Sequence, residues 1–217
     1  KIEIGIASIH EIFVMGFKLY LVALCLIFIG LSHGFVARQS AASSKPSTRQ
    51  RNPFAVKMMA DMKIEYNQIE VDTLKGISLH SLVPQIKECI EKAGITEGYV
   101  NVLSRHTTTA VTINEMEERL IDDVRQWLPK VAPPDHPYLH NDIHLRDGPA
   151  DWPGGNEAWR AQEPVNAHSH LLAMMLGQSE TIPVHEGRLM IGTWQSVILV
   201  ELDGPRKRTV GVQVVGK

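Results

Sequence analysis

Only two cysteines, Cys25 and Cys89, occur in the chain, one in an apolar run and one in a helical pattern. That scarcity excludes a disulfide framework and a cysteine-ligated metal site. A helix needs about 20 apolar residues to cross a bilayer, and the longest apolar run, LYLVALCLIFIGL at Leu19–Leu31, stops at thirteen. Acidic side chains are missing from Met15 to Ala60, where Lys18, Arg38, Lys45, Arg49, Arg51 and Lys57 give a charge of +6. From Asp61 onward the balance reverses, with 22 Asp and Glu against 15 Lys and Arg. Clustered basic residues are what binds a phosphate backbone, so this acidic part is not expected to take nucleic acid as a partner. Only Arg206-Lys207-Arg208 is locally basic. The HExxH zinc-protease arrangement is absent as well.

What is present divides the chain in three. Lys1–Val14 shows no sustained periodicity and reads as a segment upstream of the better start, Met15. The apolar run after Lys18 has the length and flanks of a signal peptide. Behind it, Phe35–Lys57 is rich in Ser, Ala, Arg and Pro, a composition that cannot bury enough apolar surface to order itself. Together, residues 15–60 resemble the two-part targeting sequence of nucleus-encoded plastid proteins in algae whose plastid lies inside extra membranes. Plastid import after cleavage near Met59–Met62 is therefore the expectation, with secretion as the rival. The mature part, 61–217, is expected to fold as a single domain without a membrane span.

Within that part, Lys63–Asp72 alternates as a strand with a phase slip near Asn67-Gln68, which suggests a bulge. Gly76 and Ser78 are expected to open a helix whose stripe is Leu79, Leu82, Val83, Ile86, Ile90 and Ala93, capped by Gly94. Tyr99–Leu103 is a second strand. The helix after Asn114 buries Met116, Leu120, Val124 and Trp127/Leu128, and Pro129 is expected to end it. Pro133–Glu163 is punctuated by Pro and Gly, so no long element fits, yet Trp152, Trp159 and the histidines His136, His140 and His144 mark it as ordered. Asn166–Met175 reads as a short helix ended by Gly177. Four final strands, Thr181–Val184, Arg188–Ile191, Ser196–Leu202 and Thr209–Val215, cover a core, with Val210, Val212 and Val214 on one face and Gly211 and Gln213 on the other. Trp194, beside them, is a candidate core plug.

The stretch with most chemistry is RHTTTAVTINEMEE, Arg105–Glu118. Strand alternation through Val111 and Ile113 turns into an acidic amphipathic helix, with Asn114 as its expected cap and Glu117 as the far half of a capping box. One reading is a pocket edge where His106 and Glu115 handle protons or a metal. The other is an ordinary strand-to-helix junction. His168 and His170, in NAHSHLLAMM, are two residues apart and would not face one another on a regular helix.

HTTTAVTINE, NAHSHLLAMMLG and especially SETIPVHEGRLMIGTWQSVILVELDGPRKRTVGVQVVG resemble the YjbQ family (UPF0047) over about Lys63–Gly216. The resemblance implies a mainly β fold, a jelly-roll-like β-sandwich with a few helices, assembled as a homotrimer. It also implies a secondary thiamine-phosphate synthase activity, which joins a hydroxymethylpyrimidine diphosphate to a thiazole phosphate with loss of diphosphate. The family pattern places histidines at His106, in the His140–Asp142 loop and at His168, around a divalent metal. Zinc is favoured because neutral imidazole suits it, and magnesium or manganese would be admitted by an oxygen-rich site. Glu115 and Asp142 are cast as catalytic residues that orient a histidine, with His170 as a third. Arg206 and Arg208 are expected to hold the departing diphosphate. The loop at Pro133–Glu163 is longer than is common in the family, and many members lack a histidine at the position of His170. Two other classes remain open: a metal-dependent hydrolase of a phosphorylated small molecule with Glu115 or Asp142 as base, and a non-catalytic binding trimer.

Overall fold

The computed structural model describes residues 62–217. The expected upstream and targeting segments lie outside them. Among the described residues no helix is long and apolar enough to cross a membrane. Among the described residues eight strands are formed: β1 (Lys63–Asp72), β2 (Gly76–Ser81), β3 (Glu97–Ser104), β4 (Thr109–Asn114), β5 (Ser179–His185), β6 (Arg188–Leu189), β7 (Ser196–Gly204) and β8 (Lys207–Gly216). Four helices, α1 (Val83–Ala93), α2 (Glu118–Val131), α3 (Gly155–Arg160) and α4 (Ala167–Leu176), lie between them. The strands build a five-stranded sheet in the order β1-β8-β3-β5-β6 and a three-stranded sheet in the order β2-β7-β4, with antiparallel pairing throughout. The fold is thus mainly β with a few helices, as the resemblance implies.

Strand β7 explains the layering. Its residues Ser196–Leu202 are all buried, because both of its faces are covered. Val197 and Leu199 join Val111 of β4 in a core shared with Val100, Val102, Val210, Val212 and Val214 of the larger sheet, and α1 adds Ile86 and Ile90. Ile198, Val200 and Leu202 point the other way, into a second core closed by Leu128 of α2 and Leu172 of α4. A continuous apolar run is what a doubly covered strand requires, whereas one-sided β8 keeps the strict alternation. Burying a side chain of this size is worth about 1.5–3 kcal/mol, so the two rows of β7 anchor the whole stack. The outer face of the larger sheet is less protected, and Ile64, Tyr66, Tyr99 and Leu103 are exposed on it.

Several local expectations change. Gly76–Ser81 is a strand paired with β7, not the start of α1. Leu79 belongs to the second core while Leu82 and Ile86 belong to the first, so the apparent single stripe is two faces read as one. Helix α1 begins only at Val83, with Pro84 in its first turn, and Gly94 closes it in the left-handed conformation at φ +60°. Strand β1 keeps one unbroken register against β8, so it has no bulge. The phase slip arises because Ile64 and Tyr66 lie on the outer face and Ile69 on the inner. The bulge falls in β2, between Gly76 and Ser78. Asn114 stays in β4, opposite Ser196, and its Oδ1 accepts from the Glu115 N–H. The cap of α2 is Glu117, which accepts from the Arg119 and Leu120 N–H groups. Pro129 sits inside the last turn instead of ending the helix. Trp194 is 74% exposed and is not a core plug.

Candidate functional site

The inward rows of β7 and β8 end in charge. Following Val197 and Leu199, the next inward residue of β7 is Glu201, and preceding Val210 on β8 it is Arg208; both are buried. Arg208 grips the carboxylate with two bonds, Nε to Oε2 at 2.6 Å and Nη2 to Oε1 at 2.6 Å. The Asp203 and Leu202 N–H groups donate to Oε1 at 2.7 and 3.0 Å, and the Thr73 hydroxyl donates to Oε2 at 2.8 Å. Burial works against the charge on Glu201, but the bonds from Arg208, Asp203 and Thr73 outweigh it and hold the carboxyl below the usual carboxylate range. Gly204 allows this packing, since a Cβ there would meet the Leu74 carbonyl at 2.4 Å and Glu201 Cγ at 2.7 Å.

Above this pair lies a cleft of about 330 Å³, bordered by Arg105, His106, Thr108, Asn166, His170 and Arg206, with Glu163 and Asp203 also on its wall. Residues 105–108 are the turn between β3 and β4. The His106 carbonyl accepts from Thr109 Oγ1 at 3.2 Å and Gln178 Nε2 at 3.0 Å, and Arg208 Nη2 donates to Thr108 Oγ1 at 3.0 Å. His106 Nε2 accepts the Thr209 N–H at 2.8 Å. That bond assigns the proton of the neutral ring to Nδ1, which makes His106 a donor toward its surroundings. Burial first, then the Arg208 guanidinium, pushes its pKa below the ordinary imidazole value against the pull of Glu201.

The acidic groups of the wall are already paired. Arg206 Nη2 donates to Asp203 Oδ2 at 3.0 Å, and Asn166 Nδ2 reaches the same oxygen at 2.7 Å. Arg146 Nη2 donates to Glu163 Oε1 at 2.9 Å, its Nη1 donates to the His140 carbonyl at 3.0 Å, and its guanidinium lies 5.1 Å from the Trp159 ring centroid. This explains the long Pro133–Glu163 segment, which folds into two 3-10 turns (Leu139–Asn141 and Ile143–Leu145) and α3 around Arg146. Arg146→Ala would leave Glu163 unpaired beside the cleft. We expect phosphate affinity to fall roughly five- to tenfold, the equivalent of about 1–1.4 kcal/mol of like-charge repulsion near a surface. Titration calorimetry with inorganic phosphate should show the loss, and adding Glu163→Gln in the same chain should restore binding. Failure to restore it would mean that Arg146 acts only by holding the loop together.

The residues expected from sequence are distributed differently. His140 and His170 come together, with ring centroids 4.7 Å apart at 70°, and His170 opens on the cleft that His106 borders. Burial first, then the neighbouring His140, lowers the His170 pKa. His168 lines a different cavity, with Leu74, Arg125 and Leu172. Two residues are about 200° around a helix, so α4 sends His168 and His170 to opposite sides. Glu115 lies at a third cavity, beneath α2. Strand β4 spans six residues, which at about 3.4 Å each carries the chain roughly 20 Å away from His106. Asp142 joins the two 3-10 turns and its side chain caps neither. Arg208 is spent on Glu201, while Arg206 is half-exposed and faces the cleft. Sequence reasoning missed Arg105, Asn166, Glu163 and Glu201. The signal for Glu201 was a carboxylate continuing an inward apolar row. Among the described residues, no three His, Cys, Asp or Glu side chains converge as an ion site.

A family model described as UPF0047 protein YjbQ-like matches residues 67–217. A UPF0047 protein of Methanothermobacter thermautotrophicus is 36% identical over 156 residues, covering 72% of this chain and 95% of that protein. One from Archaeoglobus fulgidus is 32% identical, covering 68% of this chain and 99% of its own length. Among solved structures, a YbjQ-like protein of unknown function from Sulfolobus solfataricus superimposes with a TM-score of 0.61 at 33% identity, over 72% of this chain and 99% of that one. A hypothetical protein from Aeropyrum pernix gives 0.60 at 33% identity, over 70% and 99%.

Proposed function

The chain belongs to the UPF0047 YjbQ-like family, and from that premise we propose that its cleft binds phosphorylated small molecules and serves a secondary thiamine-phosphate synthase activity. The observation that carries this reading is the donor set of the cleft. Arg105, Arg206 and the His106 imidazole border a concavity whose two carboxylates are each tied to an arginine, in a domain that is otherwise acidic. Its volume of about 330 Å³ lies at the lower end of small-ligand sites, about 300–1,000 Å³.

In the proposed reaction the thiazole ring nitrogen attacks the methylene of the pyrimidine diphosphate. A C–N bond forms, the C–O bond to diphosphate breaks with its electron pair leaving on oxygen, and no proton has to be removed. The protein must hold the partners in line and stabilise the departing charge. Arg206 and Arg105 supply charge-assisted donors, and the His106 Nδ1–H adds a neutral one. The hydrolase alternative takes Glu115 or Asp142 as base, whereas Glu115 lies at another cavity and neither carboxylate borders the cleft.

The expected metal fits the donors in part. His106 spends Nε2 on the Thr209 N–H, so it does not offer a lone pair to an ion in this arrangement. His140 Nε2 is buried without a protein partner, which makes His140 with His170 the pair that fits. When bound there, a divalent ion such as zinc would supply positive charge to phosphate oxygens.

Incubating the protein with both precursors should give thiamine phosphate, and either precursor alone should give nothing. Phosphate release from a single precursor would replace the reading with a hydrolase, and no reaction would reduce it to binding. Light scattering on the same sample should give three times the chain mass, since the homotrimer reading is supported by the unprotected outer face at Ile64, Tyr66, Tyr99 and Leu103. A monomer mass would remove it.

A further inference from the structure

We propose that the chain carries a second, separate binding site, across α4 from the cleft, for a small organic anion with an apolar body. A cavity of about 490 Å³ lies there, larger than the cleft itself. Leu74, Leu172, Leu202 and Pro129 give it apolar walls, and its polar groups include Lys75, Arg125 and His168. Not one Asp or Glu lines it. Such a lining favours a ligand whose body is hydrocarbon and whose single charged end is negative.

The cationic end is available. Among the described residues Lys75 has no acidic partner, whereas Lys207 is paired with Glu70. Arg125 is aimed by its neighbours: Nε donates to the Ile77 carbonyl at 3.2 Å, and Nη1 to Asp122 at 2.9 Å. Its Nη2 remains for a ligand. His168 adds a ring whose Nδ1 is enclosed with no protein partner. His168 and Leu172 are one helical turn apart on the same side of α4, so a ligand lying along that side would touch both.

The site is independent of the cleft in its residues. None of the side chains bordering one cavity borders the other. His170, two residues from His168 on α4, faces the cleft instead.

The test uses octanoate as the probe and inorganic phosphate as the control, each titrated into the full chain by calorimetry. Octanoate should bind with one site per chain. Lys75→Glu, at an exposed position, should weaken octanoate at least tenfold and leave phosphate affinity within twofold. Adding Arg125→Gln should weaken octanoate further. Arg206→Gln, in the cleft, should leave octanoate unchanged. The proposal is overturned if octanoate does not bind, if Lys75→Glu leaves its affinity unaltered, or if Arg206→Gln removes it.

Discussion

Glu201→Gln should lower the unfolding free energy by about 3–5 kcal/mol, the usual cost of breaking a buried ion pair by removing one partner. The amide keeps the shape of the carboxylate but cannot neutralise Arg208, which is buried and has no other acidic contact at hydrogen-bond distance. It also presents an NH₂ group toward backbone N–H donors that now find an acceptor. Urea denaturation followed by circular dichroism reads the loss as a lower midpoint with an unchanged slope. The double change Glu201→Leu with Arg208→Met should recover most of it, because both burial penalties then vanish together. If Glu201→Gln costs less than about 1 kcal/mol, the range of an exposed pair, the ion pair is not the strut described above.

The same carboxylate sets an acid limit. Its folded pKa lies below the unfolded value of about 4.3, so the unfolded chain binds the proton first as pH falls. Its contribution is complete above that value and is lost progressively as pH drops through the folded pKa. Histidines act earlier and in the same direction. His80, His106, His168 and His170 all have folded pKa values lowered chiefly by burial, so their contribution is full above about 6.5 and declines below it. Stability should therefore fall in two stages on acidification, and Glu201→Gln should flatten only the lower one.

How far the sequence reveals this arrangement depends on the range of the signal. Alternation on β8, the Gly94 cap of α1 and the Gly177 stop of α4 are local, and each is found where the residues place it. Strand β2 is misread because Leu79 and Leu82 fall at helical spacing while serving two different cores. The histidines fail for a related reason. Helix α4 has apolar residues nearly all the way round, so its pattern does not tell which flank His168 or His170 occupies; only packing on β7 decides. Glu115 is near His106 in sequence, but an extended strand converts that nearness into distance. The cleft itself is assembled from β3–β4, the Pro133–Glu163 loop, α4 and β7–β8, and contacts across a hundred residues, such as Arg208 with Thr108, leave no local pattern.

Arg206→Gln should weaken binding of inorganic diphosphate roughly 10- to 150-fold, the equivalent of the about 1.5–3 kcal/mol carried by a hydrogen bond to a charged group. Three features single this arginine out. Arg208 is locked to Glu201 by both of its carboxylate bonds, so its charge is already taken. Arg206 gives only Nη2 to Asp203, which fixes the plane of the guanidinium and leaves its remaining N–H groups to the cleft. Its backbone is held as well, since Thr73 accepts its N–H at 3.0 Å and donates its own N–H to the Arg206 carbonyl at 3.0 Å. The side chain is therefore positioned before any ligand arrives, and less ordering cost is left to offset the gain. Lys207→Gln is the matched control. Its ammonium pairs with Glu70 across β1, away from the cleft, so diphosphate affinity should change less than twofold. Calorimetry at fixed ionic strength compares the two, because surface attraction alone would be screened by salt and would fall alike for both variants. Equal losses in Arg206→Gln and Lys207→Gln would reduce the cleft to a diffuse positive field and remove the case for a diphosphate site there.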